Sequence, residues 1–158
     1  QGTGDGSVGD EAGPASVGTV SDILDVQLQN DAKNLYVTIH TQATPPAATA
    51  VGFRVRFIGD PGSQCLLIEA FFPGANNTLT TPVAQLRDTC AGSDVVPLKI
   101  LGTQITVPRK ASKAFAKGAK LTSPQALSFQ YSGTDYPAGV AAPVIDTTKV
   151  GADYTFVK

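Results

Sequence analysis

Asp5, Asp10 and Glu11 lie among glycines in the stretch GDGSVGDEAG, and Asp22 and Asp25 follow before the first base of the chain, Lys33. A hard cation such as Ca²⁺ takes about six to eight oxygen ligands from carboxylates and carbonyls on pliable loops, so these five acids form the candidate calcium site. The spacing is not that of an EF-hand, which needs D-x-[DN]-x-[DN]-G. An acidic tail without an ion is the alternative reading of the same residues.

Other chemistries find fewer residues. Cys65 and Cys90 are the two cysteines, too few for a zinc site with a single histidine, His40, in the chain. They are expected to form a disulfide, worth roughly 3 to 4 kcal/mol in the chain-entropy account, which implies an oxidising compartment. Buried free thiols are the alternative. No G-x-S-x-G elbow is present, and the Gly-rich head lacks the strand before and the Lys-Ser/Thr after that a phosphate loop needs. Glu69 and Asp88 could supply a carboxylate pair, but thirteen acids scattered along the chain make solvated or salt-bridged acids the simpler reading. A non-enzymatic protein is expected.

The charge is unevenly placed. Residues 1–32 carry six acids and no Lys or Arg, while Arg109, Lys110, Lys113, Lys117 and Lys120 crowd into residues 109–120. This pattern suggests cation binding at the acidic end, and pairing of acidic with basic segments within the molecule or between copies. The net charge of −1 gives no general attraction to nucleic acid or an anionic membrane, and no apolar run reaches the roughly 18 residues of a membrane-spanning helix. A start at Gln1 rather than Met is what a processed, exported protein or a trimmed chain would show.

The elements that must position these groups read as strands. Leu24, Val26 and Leu28 alternate with Asp25, Gln27 and Gln29, and Leu35, Val37 and Ile39 alternate with Tyr36, Thr38 and His40, across the turn 30–34. Val51, Phe53, Val55 and Phe57 repeat the pattern with Arg54 and Arg56 outward. Residues 65–72 are apolar on both faces apart from Glu69, as in a central strand. Shorter strands are expected over 83–88, 95–100, 103–107, 126–131 and 154–157, with a helix of about two turns over 109–116 after Pro108. Residues 136–151 are expected to run extended over the surface. The sum is an all-β, antiparallel β-sandwich, immunoglobulin-like or jelly-roll-like, of about nine strands with one short helix. Residues 1–20 form an acidic Gly-rich segment, and 21–158 a single sandwich domain.

The GDGSVGDEAG head, the SDILDVQLQNDAKNLYVTIHTQ hairpin, the ITVPRKASKAFAKGAKL step, and PVIDTT before DYTFV together resemble the secreted β-sandwich modules of the DOMON-like and family 9 carbohydrate-binding-module-like group. The resemblance implies a secreted β-sandwich. Sugar-binding relatives stack their ligand on aromatics, which leaves Tyr131 and Tyr136 as alternative sugar-binding residues in a chain without Trp. Haem-binding relatives use Met and His as axial ligands, and without a Met no haem is expected.

The expected function is that of a secreted structural subunit, stabilised by calcium, that assembles with copies of itself on a cell surface or into an extracellular filament. A carbohydrate-binding module is the alternative. The head is expected to dock extended on a sheet edge, a neighbour's in preference to its own, with residues 17–20 as a donor strand. Asn76, in the Asn76-Asn77-Thr78 sequon, is a candidate glycosylation site.

Overall fold

Apolar residues at every second position turn inward together when the chain is extended, and this period sets most of the structure. A computed structural model describes residues 6–9, 22–42, 51–60, 64–73, 81–87, 95–130 and 144–158. The described strands are β1 (Gly6–Gly9), β2 (Ile23–Asn30), β3 (Asn34–Thr41), β4 (Val51–Asp60), β5 (Gln64–Phe72) and β6 (Val83–Arg87). Beyond them come β7 (Val96–Leu101), β8 (Gln104–Pro108), β9 (Lys120–Gln130), β10 (Val144–Thr147) and β11 (Tyr154–Thr155). All pair antiparallel in one sheet, in the order β1-β2-β3-β8-β7-β6-β5-β4-β9-β10, with β11 also on β9. The sheet curls until β1 and β2 approach β9, giving a nearly closed, barrel-like body.

The alternations place their residues in the core as expected for β3 and β4: Leu35, Val37, Ile39, Phe53, Val55 and Phe57 are all buried. In β2 the pairing with β3 slips between Ile23 and Asp25. That bulge turns Ile23 into the core and leaves Leu24 46% exposed, so the inward set is Ile23, Val26 and Leu28 rather than one starting at Leu24. β5 is central, between β4 and β6, and is buried on both faces.

Three expectations need correction. The helix over 109–116 is two single-turn 3-10 helices, Arg109–Ala111 and Lys113–Phe115, split by the extended Ser112. Ser112 caps the second turn, its hydroxyl accepting from the Ala114 N–H at 3.1 Å, and Ala114 and Phe115 are the residues driven into the core. The last long strand begins at Lys120, not Ala126. Pro124, which argues against a strand, sits beside a register shift where Ser123 takes φ 51°, and a bulge is where a strand tolerates proline. Residues 144–147, expected to run over the surface, form β10 on β9.

Where the ends of the curled sheet meet, polar side chains join them. Asp146 Oδ2 accepts from the Ile23 N–H at 2.8 Å. Asn30 Oδ1 accepts from the Tyr154 hydroxyl at 2.7 Å and the Val157 N–H at 3.2 Å, while its amide nitrogen donates to the Val157 and Asp31 carbonyls. Gly52 marks another close approach, because the Phe129 ring from the paired strand lies where a Cβ would stand, 2.3 Å from its Cζ. The ring is buried and flanked by Phe71 and the Arg54 guanidinium, so it cannot step aside. Gly52→Ala should cost about 1 to 3 kcal/mol by overpacking. Urea unfolding with an unchanged midpoint would show that the ring does move.

Candidate functional site

The acids proposed as calcium ligands are divided. Asp5, Asp10 and Glu11 lie outside the described residues. Asp22 is buried and Asp25 half-buried at the start of β2, and Gly9, the residue before Asp10, pairs with Asp25 across the β1–β2 ladder. Asp25 Oδ1 meets His40 Nδ1 at 2.5 Å, with both side chains still partly open to solvent. Among the described residues no group of three His, Cys, Asp or Glu side chains could hold a metal ion. Asn76, Asp88, Cys90, Tyr131 and Tyr136 also lie outside them. Cys65 is not a free thiol, and Arg56 Nε donates toward its Sγ at 3.4 Å.

The β1 segment answers the expectation for the head in part. Gly6 to Gly9 are extended on a sheet edge, with Gly6 opposite Leu28 and Val8 opposite Val26, and that edge is β2 of the same chain. Residues 17–20, the expected donor, are outside the described set.

The outward face of β4, β5 and β6 holds a charged cluster that alternation alone would have placed in water. Glu69 has no exposed surface; its Oε2 accepts from Arg54 Nε at 2.9 Å and Nη2 at 2.8 Å. Its Oε1 accepts from Arg87 Nε at 2.6 Å and Gln85 Nε2 at 3.0 Å. The sequence hint was the acid in an otherwise apolar strand, with Arg54 directly across from it in register. With Arg54 on β4 and Arg87 on β6 both reaching it, the Glu69 carboxylate on β5 ties the three strands together.

The basic segment has a more open arrangement. Arg109 is committed inward: Nε donates to the Phe115 carbonyl and Nη1 to the Asp31 and Lys158 carbonyls, all at 2.8 Å, while the guanidinium lies over the Phe156 ring. Lys110, Lys113, Lys117 and Lys120 are exposed, as are Lys33 and Lys158 beside them. Among the described residues no carboxylate pairs with any of these lysines. A hollow of about 490 Å³ opens here, lined by Ala32, Lys33, Asn34, Pro108, Arg109 and Lys110.

The β2–β3 turn that borders this hollow is built on Asp31. Oδ1 accepts from the N–H groups of Lys33 at 2.8 Å and Asn34 at 2.7 Å, and Oδ2 from the Tyr36 hydroxyl at 2.8 Å. The Lys33 N–H, then the Tyr36 hydroxyl and the Asn34 N–H, with Arg109 nearby, hold this carboxyl below its ordinary 3.8. A carboxylate whose folded pKa is lowered contributes stability that is present above 3.8 and is lost as pH falls through the folded value. The stability gap between wild type and Asp31→Asn should therefore be widest near neutrality and narrow below that pH. Urea unfolding at a series of pH values reads it; a gap independent of pH would remove the charge from the turn's account.

The chain matches no protein-family model, no curated protein and no solved structure.

Proposed function

We propose that the protein is a secreted, non-enzymatic structural subunit that assembles with copies of itself on a cell surface or into an extracellular filament. The supporting observation is β1: a short, glycine-rich segment reaches a sheet edge and pairs there with β2, so the edge accepts an added strand. The same pairing made with the β2 of a neighbour would satisfy the same backbone groups and link copies by strand exchange. A Cys65–Cys90 bridge and Ca²⁺ held by Asp5, Asp10, Glu11, Asp22 and Asp25 belong to this reading as stabilisers, with Asp25 giving up His40 to bind the ion. The finer architecture it assumes is a two-layer sandwich related to the DOMON-like and family 9 carbohydrate-binding-module-like group. The alternative is a carbohydrate-binding module using Tyr131 and Tyr136.

Sedimentation of the full chain against a variant lacking residues 1–18 tests the proposal. The full chain should associate as concentration rises, and the shortened chain, without the segment that would be exchanged, should stay folded and associate more weakly. A full chain that remains monomeric with and without Ca²⁺, but is retained by a glycan array, would move the assignment to the sugar-binding module.

A further inference from the structure

The strand register sorts the surface charges by position along the barrel. Asn34 pairs with Pro108, and Lys120 pairs with both Asp60 and Thr155, while Gly118 N–H and Arg109 reach the Phe156 and Lys158 carbonyls. These links bring Lys33, Lys110, Lys113, Lys117, Lys120 and Lys158 to one end of the body. Among the described residues three acids share that end against the six lysines: Asp31 holds its turn, Asp60 lies opposite Lys120, and Asp153 Oδ1 accepts from the Ser123 N–H. At the other end, where β2 begins, the half-buried Asp25, beside His40, and Asp146, bonded to the Ile23 N–H, are the acids that reach the surface, while Asp22 is buried beneath them. The remaining described lysines, Lys99 and Lys149, sit part-way along the strands.

Opposite charges at opposite ends make an axial dipole, and a body of that kind is complementary to a second copy of itself in the same orientation. We infer that copies of this chain dock end to end, the lysine end of one against the aspartate end of the next. This rests on the self-assembly reading and names its surfaces. The contact is heterologous, each copy using a different face from its neighbour, so it leaves both ends open and can propagate. Charge of this sort steers encounter and orientation, and salt screens it. The hollow beside Lys33 and Lys110 offers the lysine end a recess into which a carboxylate-bearing loop fits.

The experiment is sedimentation velocity on the full chain at low salt and at about 0.5 M NaCl, where the Debye length falls to a few ångströms. It is run beside Lys113→Glu/Lys117→Glu and Asp25→Lys. Wild type should associate more strongly at low salt than in high salt. Each variant alone should associate at least about tenfold more weakly, a 1.4 kcal/mol equivalent, and an equimolar mixture of the two should recover part of the loss by pairing Glu with Lys. Since surface reversals can disturb folding, far-UV circular dichroism accompanies each, and the wild-type salt response stands without them. Assembly indifferent to salt and to both reversals would overturn the end-to-end contact while leaving self-assembly by strand exchange intact. A wild type that stays monomeric at every salt overturns both, and its retention on a heparin column at low salt would assign the lysine end to an external polyanion.

Discussion

Replacing Glu69 by alanine is expected to lower the unfolding free energy by about 3 to 5 kcal/mol, the usual cost of removing one partner from a buried ion pair. The side chains of Arg54 and Arg87 are only 17% and 8% exposed, and both guanidiniums point at the missing carboxylate. Water cannot replace it without opening the layer that also holds Gln85, Phe71 and Phe129. Glu69→Gln keeps an acceptor for Gln85 and the shape of the site but loses the charge, so it should fall between wild type and alanine. Changing Glu69, Arg54 and Arg87 together to Leu or Met should recover part of the loss, because no desolvated charge then remains. Urea unfolding of the three variants measures this directly. A Glu69→Ala protein within about 1 kcal/mol of wild type would mean that the cluster is hydrated and closer to the range of a surface pair.

The second large effect is expected at Phe156. Its ring is 1% exposed and packs edge-on against Tyr154 at 5.4 Å and tilted against Phe115 at 5.6 Å, with Arg109 over its face at 5.1 Å. Its backbone is held on both sides, the N–H by the Ala119 carbonyl at 3.0 Å and the carbonyl by the Gly118 N–H at 2.9 Å. Phe156→Ala should cost about 3 to 5 kcal/mol as transfer and cavity terms together, which for a chain of this length corresponds to roughly 10 °C in Tm. Because Asn30 grips the adjacent Val157, hydrogen exchange at residues 154–158 should accelerate before the rest of the protein does. A small loss with slow exchange retained there would mean that the neighbouring rings close the cavity.

Most strands were legible because a period of two is a local property. Leu35, Val37 and Ile39 or Phe53, Val55 and Phe57 need no distant residue to declare which way they face. What the pattern hid depended on partners far along the chain. Nothing near Leu24 announces a bulge; the slip appears only when β2 is laid against β3, and it reverses the sides of Ile23 and Leu24. Ser112 reads as one more residue of an Ala-rich turn until its hydroxyl is seen capping the next. Arg109 looked like one of five surface bases, but its three carbonyl acceptors come from the β2–β3 turn, the second 3-10 turn and the 154–158 segment. For the site, the sequence told which residues were acidic and which basic, while only the register told that Lys33 and Lys158 join the bases of 109–120 at one end.

The contacts of Asn30 have a kinetic meaning. Its partners Tyr154 and Val157 are 124 and 127 residues away in sequence, and β4 likewise waits for β9 to cover its second edge. A fold whose closing contacts join such distant residues has a high contact order and is expected to form in milliseconds to seconds rather than microseconds. On a ribosome the delay is set by synthesis. At about 5 to 20 residues per second, β2 to β8 emerge several seconds before residue 157 does. Through that interval the nascent chain shows the bare flank of β4 and a β2 whose asparagine has nothing to grip, and it is then that mispairing between copies is easiest.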